Sequence, residues 1–254
     1  MRYFFEIAFN GTNYCGWQRN INAHIPSIQE ILENKLSLLL QRNITIWGCG
    51  RTDKGVHAEK YFAHIEIDYQ LESSFLRKCN AILPLDIAIL NIYSVPDELH
   101  ARFNARSRTY RYRITLEKCP QKMTFQSYYN ILNEKIPDME EALHSLIRYD
   151  DFKTMCRTPD RNKHTFCTIL NTHFEYFPDT KEIHMYITAN RFLKSMMRML
   201  VGYLVLLGKN KIGLEEFYDL LEGTSHYKFH QLAFPQGLSL VDVTYPRDIE
   251  MILI

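Results

Sequence analysis

Residues Arg51 to His57 read Arg-Thr-Asp-Lys-Gly-Val-His, with one carboxylate set between two cations. A nearby positive charge lowers a carboxylate pKa, so Arg51 and Lys54 favour the ionised form of Asp53. An ionised, positioned carboxylate is the form required for nucleophilic attack. The same spacing also suits an Asx-turn, in which Asp53 only bonds the backbone of its own loop. His57 is either an acid–base group or a strand-entry residue that orients the loop. Spacing leaves both alternatives open.

Two further clusters carry charge in a pattern. Arg102, Arg106, Arg108, Arg111 and Arg113 fall within twelve residues, interleaved with Phe103, Tyr110 and Tyr112. On a strand, Arg108, Tyr110 and Tyr112 share one face, and Thr109, Arg111 and Arg113 share the other. Arginine forks bind phosphates and aromatic rings stack on unpaired bases, so the mixture suits single-stranded or flipped nucleotides. The plainer reading is a half-exposed strand with solvated arginines and core tyrosines. Arg191, Lys194 and Arg198 are spaced i, i+3 and i+7 in "RFLKSMMRMLVGYLVLLG", predicting one face of a single helix. Arg198, among methionines, leucine and valine, either snorkels to solvent or pairs with a buried carboxylate such as Asp53.

The elements that must position these groups follow from hydrophobic period and punctuation. "RYFFEIAF" reads as a strand stopped by Asn10-Gly11. Ser27 and Glu30 form a capping box that opens a helix to about Arg42. "ITIWGCG" and "YFAHIEID" read as strands around the aspartate motif, "SSFLRKCNAILP" as a helix and "IAILNIYSV" as a strand. The order β-α-β-β-α-β is that of a ferredoxin-like, RRM-like unit. After a boundary near residues 104–107 the pattern restarts. "SRTYRYRITL" is a strand and Pro137 opens a helix. "FCTILNTHFEYF" and "EIHMYITANR" form a hairpin, then come the Arg198 helix, the shorter "LEEFYDLLEG" and a last strand "LSLVDVTYP". The expected fold is α+β: two ferredoxin-like halves, residues 1–105 with the aspartate motif and 106–254 with Tyr110 and Arg198. They are expected to join into one extended antiparallel sheet with a central cleft.

Composition sets bounds. The 254 residues carry a formal net charge of +1, so any anion-binding surface must come from local clustering. Six scattered cysteines without a C-x-x-C pair point to reduced thiols, not to a metal site or disulfide framework. The N-terminus lacks a signal-peptide h-region and the most apolar stretch is about half a membrane span, which predicts a soluble, cytoplasmic protein without a membrane partner. No phosphate-loop, dinucleotide, zinc-protease or nucleophile-elbow motif is present, which leaves a cofactor-free reading or an unknown one.

Taken in order, "FNGTNYCGWQ", "PSIQEILENKL", "GRTDKGVHA", "HARFNARSRTYRYRI", "NRFLKSMMRMLVG" and "FPQGLSLVDVTYP" resemble the TruA-type tRNA pseudouridine synthases across nearly the whole chain. The resemblance implies isomerisation of uridine to pseudouridine in the anticodon arm of tRNA, near positions 38–40. It implies that Asp53 is the catalytic aspartate, Tyr110 the ring that stacks on the target uracil, and Arg198 the cation that pairs with the aspartate. Arg51 then inserts beside the flipped nucleotide, while Arg102, Arg106, Arg108 and Arg111 supply substrate contacts. A homodimer that binds tRNA across both subunits, with no metal or organic cofactor, is also implied. Two departures, Lys194-Ser195 and Cys167, lie outside the aspartate motif and bear on which uridines are chosen. The alternative from another class is a non-catalytic RNA-binding protein on the same platform; the carboxylate of Asp53, which would repel phosphates, favours the enzyme.

Overall fold

In the computed structural model, residues 1–225 and 232–254 are described. The chain divides into two compact units: Met1–Arg108 with Ser239–Ile254, and Thr109–Leu238. The architecture is α+β and mostly antiparallel.

In the first unit, β1 (Arg2–Phe9), α1 (Ile28–Leu40), β2 (Trp47–Gly48), β3 (His57–Glu66), α2 (Phe75–Ile82) and β4 (Ile87–Val95) follow the expected order. The strands lie in the sequence β4-β1-β3, with β2 on β3, as in a ferredoxin-like sheet. Antiparallel register sets Phe5 opposite Ala63 and Glu6 opposite Phe62. The period of two sends Tyr3, Phe5 and Ile7 to one face, where all three are fully buried. Ser27 Oγ accepts the Glu30 N–H at 3.1 Å, so the predicted N-cap of α1 forms. Gln41, in the left-handed region at φ 52°, ends the helix.

One strand is far shorter than its sequence suggests. "ITIWGCG" pairs over Trp47–Gly48 alone. The Ile44 N–H donates to Ser37 Oγ (2.9 Å) and the Ile46 N–H to Glu33 Oε1 (3.1 Å). Side chains of α1 thereby satisfy backbone groups that a ladder would otherwise take.

The second unit holds most of β5 (Ser107–Thr115), together with β6 (Ser127–Tyr128), α3 (Ile136–Ser145), β7 (Ile169–Phe177), β8 (Glu182–Ala189), α4 (Met196–Gly208) and α5 (Leu214–Glu222). Strands β5, β8 and β7 are neighbours in that order, and β6 runs parallel to β5. Helix α4 is buried along nearly all of its length. At its end, Gly208 approaches Met139 of α3 and Ile131 so closely that a Cβ there would collide with both.

The expected boundary at 105/106 differs from the observed grouping, because the C-terminal residues return to the first unit. β9 (Leu238–Thr244) pairs in parallel with β3 at His57 and Ser239, and β10 (Ile252–Leu253) pairs with β4. The short strands β6 and β10 carry no period long enough to be read from sequence. Among the described residues, no helix is long and apolar enough to cross a membrane.

Candidate active site

Asp53 sits on the loop between β2 and β3, half-buried, with Arg51 and Lys54 exposed on either side. The turn is closed by backbone, the Val56 N–H donating to the Asp53 carbonyl at 3.2 Å. What distinguishes the loop is how thoroughly its ends are held.

Beneath it, Trp17 stacks on Tyr61 with ring centroids 4.1 Å apart. Gly48 rests against both rings, and a Cβ there would strike each of them. The Tyr61 hydroxyl donates to the Gly50 carbonyl at 2.5 Å. From the other side, the Trp17 N–H donates to the Thr52 carbonyl at 3.3 Å. Gly16, at φ 105°, packs its backbone on Thr52 and Asp53, where any side chain would collide with the Thr52 carbonyl. His57 is 2 % exposed and its Nδ1 accepts the Gly11 N–H at 3.1 Å. Its geometry matches the loop-orienting alternative.

Arg108 closes the ring of contacts. Its Nε and Nη2 donate to the Cys49 carbonyl at 3.2 and 2.8 Å, and Nη2 also donates to the Arg102 carbonyl at 2.7 Å. The side chain thus ties the start of the aspartate loop to the Arg102–Arg106 segment. Cys49 itself is no competing nucleophile, since burial pushes its thiol up to about 11. Arg102 and Arg106 are exposed, and the Arg102 guanidinium lies over the exposed Phe103 ring, 5.7 Å from its centroid.

In the second unit, Tyr110 is buried and meets Phe192 edge to face at 4.9 Å. Arg111 is half-buried on the opposite face of β5, beside His184, whose pKa is lowered first by burial and further by Arg111 and Arg113. Arg198 lies in the first turn of α4, half-buried, and its Nε donates to the Ala233 carbonyl at 2.8 Å. The Ala233 N–H returns a bond to the Arg198 carbonyl at 2.9 Å. The next residue continues the lattice. The Phe234 N–H donates to the Tyr129 hydroxyl (2.9 Å), and the Tyr112 hydroxyl donates to the Phe234 carbonyl (2.8 Å). Arg198 is therefore part of a backbone-anchored network with Tyr112 and Tyr129.

One expectation is corrected. Arg191 and Lys194 do not share a helix face with Arg198, because α4 begins only at Met196. Ser195 adopts the left-handed region at φ 60°, and the Asn190 N–H still pairs with the Thr168 carbonyl as an extension of the hairpin. Past Arg191 the chain turns at Lys194–Ser195 and becomes helical at Met196.

The structure thus gathers Arg51, Asp53, Arg102, Arg106 and Arg108 in the first unit, and Tyr110, Arg111 and Arg198 in the second. Sequence reading passed over Gly16, Trp17 and Tyr61 as the supports of the aspartate loop. Their signal was the Gly-rich, aromatic stretch "GTNYCGW", where glycines next to large rings mark close backbone approach.

Comparison with known proteins follows the same line. A family profile described as tRNA pseudouridine synthase matches residues 142–246. The chain is 36% identical over 251 residues to the protein named tRNA pseudouridine synthase A from Azobacteroides pseudotrichonymphae, covering 97% of each. It is 35% identical to the proteins of that name from Porphyromonas gingivalis and Bacteroides thetaiotaomicron, covering 98% of this chain in both cases and 98% and 92% of theirs.

Proposed function

The chain belongs to the tRNA pseudouridine synthases, and on that premise we propose that it isomerises uridine in the anticodon arm of tRNA with Asp53 as the nucleophile. The observation that carries this reading is the aspartate loop itself. Its backbone is bonded by Tyr61, Arg108 and the Gly11–Trp17 segment, so the carboxylate is positioned before substrate arrives. Preorganisation of that kind removes reorganisation cost from the reacting step.

The target uridine leaves its stack at a cost of about a few kcal/mol, offset by stacking and phosphate contacts. Tyr110 supplies the stacking ring and Arg51 inserts beside the flipped nucleotide. Arg102, Arg106 and Arg111 meet phosphates, and Arg108 acts with them by holding the loop to their segment. Asp53 attacks C6 of the uracil or C1′ of the ribose, with Arg198 as the paired cation. The N1–C1′ bond breaks, the base rotates, and C5 bonds to C1′. The C5 proton is lost and N1 regains one, so atoms balance without a cofactor. Tyr110, stacked on the base, is the group proposed to face the C5 proton, but a phenol's ordinary pKa near 10 makes it a weak base alone. The enzyme acts as a cytoplasmic homodimer.

The test is tritium release from tRNA labelled at uridine C5. Release by the native chain and none by Asp53→Asn supports the reading. No release from any tRNA overturns it in favour of a non-catalytic RNA-binding protein.

A further inference from the structure

On the first unit, the sheet face opposite Tyr3, Phe5 and Ile7 bounds an open cavity of about 600 Å³. Its lining includes Glu6, Lys60, Phe62, Asn91, Tyr93, Tyr245 and Arg247. The informative group is Glu6, a carboxylate only 9 % exposed in the middle of β1. Its Oε2 accepts from Asn91 Nδ2 at 2.8 Å and from the Tyr93 hydroxyl at 2.9 Å. Its Oε1 receives no hydrogen bond from any described residue. That oxygen is open to the cavity, where a bound group carrying a donor would pair with it.

The polarity of this wall is one-sided. The Asn91 amide nitrogen is committed to Glu6, which leaves its oxygen as a second acceptor on the same strand face. A ligand edge that satisfies both must present two adjacent donors. Among nucleobases, guanine does so with N1–H and N2–H. Adenine and cytosine set one donor group beside an acceptor, and uracil flanks its single donor with acceptors. The remaining lining fits a planar base and a phosphate. Tyr245, half-buried and packed edge to face on Phe62 at 5.3 Å, offers ring surface. Arg247 is exposed at the mouth, and Lys60 is held by Asp242 at 2.8 Å. Burial, with help from Glu6, pushes the Tyr93 phenol up to about 12, so Tyr93 remains a donor to Oε2.

We propose that this cavity is a guanine-nucleotide site in which Glu6 Oε1 and the Asn91 carbonyl oxygen read the donor edge of the base. The base comes either from a free mononucleotide or from a guanosine of the RNA substrate; the second source rests on the isomerase reading above. Binding is measured without turnover, so a failure of that reading leaves this test standing.

Titration of the full chain with GMP, AMP, CMP and UMP, followed by NMR or calorimetry, should show GMP binding at least about tenfold tighter than the others. Glu6→Gln should remove most of that preference, since the amide replaces a charged acceptor. If Glu6→Gln does not fold, Arg247→Ala on the exposed rim keeps the question open to measurement. It should weaken GMP several-fold while leaving guanosine unchanged. A raised KM for tRNA in Glu6→Gln at unchanged kcat assigns the base to RNA; an unchanged KM with GMP binding lost assigns it to the free nucleotide. Equal binding of all four nucleotides, or GMP binding untouched by both substitutions, overturns the proposal.

Discussion

The aspartate loop and the arginine helix solve the same task in opposite ways. Around Asp53 the neighbours grip backbone: Tyr61 holds Gly50, Arg108 holds Cys49, and the Trp17 N–H holds Thr52. Around Arg198 the side chain proposed to pair with the aspartate is itself a structural member, with its Nε on the Ala233 carbonyl. A loop whose backbone is held by its neighbours keeps these bonds when its side chain is exchanged. A side chain that itself braces its neighbourhood takes its bonds away with it. Loss of Asp53 and loss of Arg198 should therefore differ in stability even where they agree in activity.

The largest expected effect comes from Arg198→Ala. It should lower kcat by about two to three orders of magnitude, as removal of one stabilising donor does, and should also lower the melting temperature, because a buried carbonyl loses its partner. Calorimetry beside single-turnover kinetics checks this. Full stability in Arg198→Ala would erase the contrast with Asp53→Asn.

Next is Gly16→Ala, which sharpens the comparison from the other side. A methyl group there collides with the Thr52 carbonyl and demands a positive φ. Displacing Asp53 by about 1 Å should cost roughly 10²-fold in kcat/KM. Gly50→Ala, where a Cβ meets nothing within 4 Å, is the control and should fold as the parent does.

Tyr112→Phe removes only a hydroxyl from the Arg198 network. It leaves the Phe234 carbonyl unpaired and should destabilise by about 1–3 kcal/mol in urea melts. Because the Arg198 guanidinium itself is kept, kcat should fall less than in Arg198→Ala.

A further effect, nil at pH 7 and growing only as acid is added, is one of pH. His64 is buried at 1 % exposure, and burial, then the neighbouring charges of His100 and Arg2, lower its pKa from 6.5 to about 3. The folded chain holds it neutral while the unfolded chain protonates it below pH 6.5. Its contribution is thus fully present above pH 6.5 and is lost as pH falls from there toward 3, by at most about 1.4 kcal/mol per pH unit. His64→Gln should flatten that part of the stability profile in melts from pH 7 to 4. An unchanged slope would mean that His64 is already charged in the folded state.

Much of this was legible beforehand, and for identifiable reasons. β1, α1, β4 and the β7–β8 hairpin carry clean periods and punctuation, so their limits are recovered nearly to the residue. Asp53 stood out because a carboxylate amid cations needs an explanation. The length of β2 was hidden, since it depends on Glu33 and Ser37 reaching across from α1, a tertiary event that leaves no local trace. The start of α4 was hidden too. A helical spacing at Arg191, Lys194 and Arg198 gives no warning of the left-handed turn at Ser195. The role of Arg108 as a clamp emerges only once Cys49 is folded beside it.

The truncation of β2 has a further consequence, for the protein's behaviour in a crowded solution. A sheet edge offers rows of unused N–H and C=O groups to which another chain can add, the usual seed of aggregation. "ITIWGCG" has the β-branched, aromatic composition that would make such a template. By drawing the Ile44 and Ile46 N–H groups onto helix side chains, the fold leaves only Trp47 and Gly48 in the ladder and blunts the edge beside its aspartate loop.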